Sequence, residues 1–145
     1  MSEKIIDVVR EIAKENGWAF NEINDLIKID VEGKNGTWSS FCKCLEEEKK
    51  FIYYSVLSIK VPKDKILRTV EFITRLNYGL KIGNFEIDMD TGEFHFKTAV
   101  QLIDNTNSHD IIGNNIIINI LTMDEFLPLI MKIIYSDTPI KDILE

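Results

Sequence analysis

Residues 27–61 read IKIDVEGKNGTWSSFCKCLEEEKKFIYYSVLSIKV, and this stretch decides the fold. Apolar and polar residues alternate at its start, which is the two-residue period of a half-buried strand. Two turn-forming segments, 33–36 and 46–50, divide the stretch into strands at 27–31, 37–45 and 51–61. Strands joined by such short turns pair antiparallel, so the stretch predicts a three-stranded meander.

The third of these strands is apolar on both faces. One face carries Phe51, Tyr53, Leu57, Ile59 and Val61, and the other carries Ile52, Tyr54 and Val56. An antiparallel sheet with helices on one side leaves its other face free, and aromatic residues there favour a partner. We therefore predict a partner-binding face at Ile52, Tyr54 and Val56, joined by Trp38 or Phe41, whose face the pattern does not assign. Burial under the last helix or a loop is the alternative for the same residues.

Helical spacing of apolar residues appears on both sides of the meander. Residues 3–16 repeat apolar residues every three to four positions, with Ser2 as a candidate cap and Gly17 at the end. Pro62 ends the third strand, because proline has no N–H to donate to the neighbouring strand. Helical spacing then returns from residue 63 or 64 to 78.

A hairpin and a long apolar region complete the chain. Alternation over 85–89 and 94–102 around an Asp-Thr-Gly turn predicts two more strands. From Asp110 to Tyr135 the pattern favours one helix, or two divided at a capping-box spacing that begins at Thr122. The run 114–121 is also compatible with a strand, and a last helical turn is predicted at 140–144.

The predicted order is helix, three strands, helix, two strands, helix. This order predicts an α+β fold with a five-stranded antiparallel sheet and helices packed on one face. A length of 145 residues suits a single domain, 1–145.

Composition narrows the classes of partner and compartment. The formal net charge of -7 and the pI near 4.9 repel phosphate backbones, so we expect no nucleic-acid partner. No apolar run of signal-peptide length begins the chain, and polar residues interrupt the apolar region 111–134, so we expect no membrane span. Two cysteines do not make a disulfide framework, and together these features favour a cytoplasmic protein.

The segment LNYGLKIGNFEID at 76–88, followed by Thr91-Gly92-Glu93-Phe94, resembles the YbjN family of small bacterial proteins. The resemblance implies the fold of type III secretion chaperones, which are small acidic proteins that dimerise and bind extended peptides. It also implies a regulatory role, and it brings no catalytic residue. The motif residues have structural reasons of their own. Asn77 suits a helix end, Gly83 permits close backbone approach, and Phe85 anchors a strand in the core.

Two short motifs resemble metal sites, but neither has the complete ligand pattern. Cys42 and Cys44 share one face of a strand, but no second pair of ligands stands at zinc-site spacing, so we interpret them as buried small residues. Asp88-x-Asp90-x-Gly92 resembles the start of a calcium loop. That loop needs Gly at its sixth and Glu at its twelfth position, where this chain has Glu93 and Ala99. We interpret it as a hairpin turn.

Catalytic patterns are also incomplete. Ser108-His109-Asp110 has the residue types of a triad, but adjacent residues cannot align as nucleophile, base and orienting acid. Asp110 is better explained as a helix cap, and His95 as an exposed residue of its strand. The sequence predicts no catalytic residue, no cofactor and no metal.

These observations favour a non-enzymatic protein-interaction module, predicted to be a homodimer, that holds a protein or peptide segment by strand addition and by apolar pockets on its free face. The alternative is a small-ligand-binding or enzymatic protein with a pocket between sheet and helices. A third hypothesis is a subunit whose free face another chain covers permanently.

Overall fold

The computed structural model describes residues 3–104 and 107–145, and its strands form one antiparallel sheet. The helices are α1 (Ile5–Glu15), α2 (Ile66–Gly79), α3 (Ser108–Tyr135) and α4 (Ile140–Ile143). The strands are β1 (Phe20–Ile23), β2 (Leu26–Glu32), β3 (Thr37–Leu45), β4 (Lys50–Val56), β5 (Asn84–Ile87) and β6 (Phe94–Gln101). The sheet has six strands in the order β1-β2-β3-β4-β6-β5. The predicted α+β class is confirmed.

The predicted number of five strands is wrong, because β1 was not predicted. Three of the four residues of β1 are exposed, so it carries no apolar alternation for a pattern to detect. It forms by pairing with β2 through a two-residue turn, in which Asn24 takes a positive φ of 51°. Pairing, rather than local pattern, creates this strand.

The third predicted strand also ends earlier than expected, at Val56 instead of Val61. Beyond Val56 the chain bends, and two of its backbone N–H groups donate to the β5–β6 hairpin. Leu57 donates to the carbonyl of Phe94 (2.9 Å) and Val61 to that of Gly92 (2.8 Å). A Cβ at Gly92 would lie 2.3 Å from the carbonyl oxygen of Val61, so glycine is required for this close approach.

The final apolar region is one helix, α3, with Pro128 inside it, and residues 114–121 are helical. The alternatives of two helices or a strand are therefore wrong. Thr122 does not cap a second helix, because its hydroxyl donates to the carbonyl of Ile118 (2.8 Å) within the same helix. The N-terminal cap is Asn107, whose side chain accepts from the N–H of Asp110 (3.2 Å), so the expectation that Asp110 is the cap is also wrong.

A distant carboxylate supplies the N-terminal hydrogen bonds of α1. The candidate cap Ser2 lies outside the described residues. Glu46, in the turn between β3 and β4, accepts from the N–H groups of Ile5 (2.8 Å) and Ile6 (3.0 Å). A carboxylate there also interacts favourably with the helix dipole. The turn thereby holds α1 against the sheet.

Helices α1, α2 and α3 pack on one face of the sheet, as predicted, and the core lies between them. Alternate strand residues on this covered face are buried, among them Ile27, Ile29, Trp38, Cys42, Phe51, Tyr53, Phe94 and Phe96. From α3, the ring of Phe126 packs edge-on against Phe85 of β5 at 5.7 Å between centroids. The turn between β2 and β3 also attaches to α3, since Asp124 accepts from the N–H groups of Lys34 (2.9 Å) and Asn35 (2.8 Å).

A buried polar network lies within this apolar core. Asn119 of α3 is fully buried, and its amide nitrogen donates to the carbonyls of Tyr53 (2.9 Å) and Phe96 (3.2 Å) and to the hydroxyl of Thr98 (3.0 Å). Its amide oxygen accepts from the hydroxyl of Ser55 (2.6 Å). One side chain therefore fixes the position of α3 over β4 and β6.

The three motif residues at 77, 83 and 85 have structural roles. The amide of Asn77 bonds both backbone groups of Phe85, donating to its carbonyl (3.0 Å) and accepting from its N–H (2.8 Å). Phe85 is buried in the core, as predicted. Gly83 has a positive φ of 76°, and a Cβ there would lie 2.8 Å from the carbonyl oxygen of Lys97. The predicted close backbone approach at Gly83 is confirmed.

Replacing Gly83 by alanine is expected to lower the free energy of unfolding by about 2–3 kcal/mol. Alanine at position 83 would have to take the unfavourable left-handed backbone conformation, and its Cβ would also contact the β6 backbone. Gly79→Ala is the matched control, because a Cβ at Gly79 has no atom within 4 Å, and alanine there is expected to be neutral or slightly stabilising. Urea denaturation measures both variants, and an equal free energy of unfolding for the two would contradict the argument.

Candidate partner-binding face

The face of the sheet away from the helices is the open face. It carries every second residue of the strands, including Lys28, Asp30, Ser39, Phe41, Lys43, Ile52, Tyr54, Val56, Glu86, His95 and Lys97. The buried residues of each strand point to the helices, so the residues between them point to the open face, because side chains alternate between the two faces of a strand. The predicted division of the third strand into two faces is therefore confirmed from Phe51 to Val56.

Four apolar side chains form a strip across the centre of the open face: Phe41, Ile52, Tyr54 and Val56. Phe41 of β3 stands directly opposite Tyr54 of β4, and directly opposed residues on one face contact each other. All four are half-buried, yet none belongs to the described apolar residues that pack against the core. Their burial comes from neighbours in the sheet, since the helices lie on its other face.

Trp38 is not part of this strip. It pairs with Val31 on the covered face and is 4% exposed, so its predicted place beside Tyr54 is wrong. The two consecutive serines after it interrupt the alternation, which is why the sequence does not assign its face. Phe41, three positions later, falls on the open face.

A polar cluster borders the strip on the β5–β6 hairpin. His95 packs edge-on against Tyr54, with ring centroids 5.0 Å apart, and its Nε2 lies 2.7 Å from Oε1 of Glu86. Lys97 donates to the other oxygen of Glu86 (2.8 Å), and Asn84 also donates to it (3.1 Å). Burial opposes the charged form of Glu86, but the hydrogen bonds from Lys97, His95 and Asn84 outweigh burial and hold the pKa of Glu86 below its ordinary value.

His95 is half-buried rather than exposed, contrary to the sequence expectation, with 18% of its side chain accessible. Its Nδ1 is buried without a hydrogen-bond partner among the described residues, and the carboxylate of Glu93 lies 3.8 Å away. This cluster was not predicted from the sequence. The available signal was the alternation itself, which places Glu86, His95 and Lys97 on one face of the hairpin.

Two grooves are open to solvent near these elements. One, of about 550 Å³, lies where β4 leaves the sheet and is lined by strand residues and the following chain, including Asp30, Phe41, Val56 and Ser58. The other, of about 420 Å³, lies beside α1 and α3 and includes Ile12 and Trp18. Neither groove is lined by both strands and helices, so neither corresponds to the pocket between sheet and helices that the alternative hypothesis requires.

The motifs that resemble metal sites have structural explanations. Cys42 is buried and Cys44 half-buried. Burial raises the pKa of Cys42 well above its ordinary value and that of Cys44 to about 12, so both stay protonated near neutral pH. Asp88 accepts from the N–H groups of Asp90 (2.8 Å) and Thr91 (3.2 Å), and these bonds lower its pKa. It closes the hairpin turn, as predicted.

These features define a class of small α+β proteins with one face of the sheet under helices and the other open. Among solved structures, the chain is similar to YbjN from E. coli, a candidate transcription regulator, with 11% identity, 84% of this chain and 93% of that chain covered, and a TM-score of 0.60. It is also similar to a chain of the ExsC–ExsE complex, with 14% identity, 92% and 94% covered, and a TM-score of 0.55. Neither a family model nor a curated protein matches the sequence.

The predicted YbjN and secretion-chaperone-like fold is thus confirmed. At identities of 11% and 14% the likeness is one of fold. Among the described residues, no helix combines the length and the apolar character needed to cross a bilayer.

Proposed function

We propose that this chain is a single-domain, non-enzymatic interaction module, acting in the cytoplasm, whose open face binds a segment of a protein partner. The observation that carries the proposal is the strip of Phe41, Ile52, Tyr54 and Val56, which no described helix covers. Apolar side chains at the centre of a surface and polar groups at its border are the usual anatomy of a protein interface. Here the hairpin cluster around Glu86 supplies the polar border.

The similarity to a chain of the ExsC–ExsE complex supports a protein as the partner, because that fold occurs there in a protein complex. The description of YbjN as a candidate regulator is consistent with a role exerted through binding. Both are analogies of fold, and the residues of the open face carry the specific claim.

An extended partner segment would add to the β1 edge of the sheet rather than to the β5 edge. At β5, the amide of Asn77 already occupies the N–H and the carbonyl of Phe85, which a new strand would need. At the other end of the sheet, β2 is the one neighbour of β1 among the described strands. We therefore expect main-chain pairing at β1 and side-chain contacts along the strip.

Tyr54→Asp is expected to weaken partner binding at least about 30-fold, because it places a charge at the centre of an apolar interface. Tagged wild-type protein would capture the partner from a cell lysate, mass spectrometry would identify it, and titration of the purified partner would give the affinities. Tyr78→Asp is the matched control, because Tyr78 is 96% exposed at the end of α2, away from the open face. It should bind as wild type does.

Equal affinity of Tyr54→Asp and wild type for the purified partner would contradict the proposal. Circular dichroism of Tyr54→Asp shows whether the variant is folded, and global unfolding would identify Tyr54 as a core residue instead. Sedimentation equilibrium tests the predicted homodimer, and a dimer that Tyr54→Asp dissociates would make a second copy the occupant of the strip.

A further inference from the structure

Three metal-ligating side chains converge at the junction of α1 and α3, away from the open face. Glu11 and Glu15 stand one turn apart on α1, and His109 lies in the first turn of α3. Each offers one ligand atom, and these atoms all lie within 4.8 Å of one another. Two helices that are distant in sequence therefore present an imidazole and two carboxylates to one point.

The packing of α1 beside α3 brings the three side chains together. A Cβ added at Gly113 would lie 3.9 Å from Cδ1 of Ile12, an ordinary contact distance, so α3 and α1 are neighbours at this point. Ile12 is buried in the core, which fixes the last turn of α1 beside the first turn of α3. The backbone on which the three ligands stand is thus held by the core.

One pair of ligand atoms is already close to the spacing of a small divalent-ion site. Oε2 of Glu15 lies 2.9 Å from Nε2 of His109. Ligand atoms about 2.0–2.2 Å from a tetrahedral zinc ion are separated by about 3.4 Å, so half-ångström adjustments of this pair would admit the ion. Side chains of Glu15 and His109 are 48% and 39% exposed, which leaves them free to make that adjustment.

The surroundings of His109 also suit a cation. Oδ1 of Asp110 lies 3.6 Å from the second ring nitrogen, Nδ1, and a small movement into hydrogen-bond distance would let it orient the ring, as outer carboxylates orient metal-bound histidines. The carboxylate of Glu15 on Nε2 and that of Asp110 near Nδ1 place negative charge beside both ring nitrogens, and this charge would attract a metal ion.

We propose that Glu11, Glu15 and His109 bind one divalent transition-metal ion, with zinc the best fit, and that the ion links α1 to α3. The imidazole nitrogen favours zinc over magnesium or calcium, which prefer oxygen ligands alone. Three protein ligands leave the fourth position for water. The site is independent of the open face and of the function proposed for it.

Isothermal titration of the metal-free, tag-free chain with Zn²⁺ tests the proposal, since a polyhistidine tag would itself bind zinc. We expect one equivalent per chain. His109→Ala and the double variant Glu11→Gln/Glu15→Gln should each weaken binding by about 100-fold or more, because loss of an outer carboxylate alone costs 10–100-fold. His95→Ala, which removes the other histidine, is the matched control and should bind as wild type does.

Two further readouts make the result decisive. Zn²⁺ should raise the thermal unfolding midpoint of wild type and leave that of His109→Ala unchanged. Co²⁺ in place of Zn²⁺ should give absorption bands of a nitrogen–oxygen site. A sulfur-to-metal charge-transfer band, equal zinc affinity in wild type and His109→Ala, or no binding at micromolar Zn²⁺ would each overturn the proposal.

Discussion

Asn119→Asp is expected to lower the free energy of unfolding by about 4 kcal/mol. The amide nitrogen of Asn119 donates to three acceptors, of which two are the backbone carbonyls of Tyr53 and Phe96. A carboxylate of the same shape would place an oxygen against those carbonyls, without any water, since Asn119 is 0% exposed. An unpaired buried charge typically costs 3–5 kcal/mol, so this near-isosteric change should be among the most damaging in the chain.

The pH dependence of the free energy of unfolding distinguishes an unpaired buried charge from a simple loss of packing. Burial disfavours the charged form, so the pKa of the introduced carboxyl should rise above the value of about 3.9 that it has in the unfolded chain. Because the folded-state pKa is raised, the loss of unfolding free energy relative to wild type is smallest below pH ~4. This loss grows as the pH rises towards the folded-state pKa. Urea denaturation at several pH values measures this deficit against wild type.

Asn114→Asp is the matched control for this experiment. Asn114 stands on the same helix, but its side chain is exposed. We expect its free energy of unfolding to stay within about 0.5 kcal/mol of wild type. A deficit below about 1 kcal/mol for Asn119→Asp, or one that does not change with pH, would show that the network does not hold α3 in place.

Phe85→Ala is expected to cost about 4 kcal/mol of unfolding free energy. Phe85 is 1% exposed, and its ring centroid lies 4.6 Å from that of Phe96 and 5.7 Å from those of Phe94 and Phe126. Truncation would leave a cavity between β5, β6 and α3, and buried Phe→Ala changes cost about 3–5 kcal/mol. The aromatic contacts that are lost add to this cost.

Phe41→Ala makes the corresponding change on the open face. Phe41 is half-buried, and no helix of the described part of the chain covers it, so we expect its truncation to cost about 1 kcal/mol. Chemical denaturation of both variants gives the comparison. If Phe41→Ala cost as much as Phe85→Ala, the strip would be a second core rather than a free surface, and the proposed binding face would be wrong.

The open face was largely predictable from sequence, because strand residues alternate strictly. Ile52, Tyr54 and Val56 are every second residue of β4, so they lie on one face however the strands pair. Trp38 and Phe41 could not be assigned in this way, since two serines between them break the apolar pattern. Pairing with β2 assigns each of them to a face of the sheet, because Trp38 stands opposite the buried Val31 and Phe41 opposite the half-exposed Lys28.

Several elements depended on partners that the local pattern does not contain. Strand β1 has two apolar residues, Phe20 and Ile23, which do not alternate along the strand, and three of its four residues are exposed, so it exists through its pairing with β2. Glu46 caps α1 from 41 positions away, and His109 meets Glu15 across 94 positions. Such contacts depend on how the elements pack, and no spacing within the sequence signals them.

The sequence by itself determined α1, α2, α4, five of the strands and the two faces of β4, because apolar periodicity acts over a few neighbouring residues, whereas it left open whether α3 is one helix. Tertiary structure alone decided the sixth strand, the covered position of Trp38 and the partners of Asn119, which lie 21 to 66 positions away. The physical reason is that burial and hydrogen bonding depend on what lies opposite a residue in space. Local chemistry therefore predicts the elements, and packing decides which of their surfaces remain available for function.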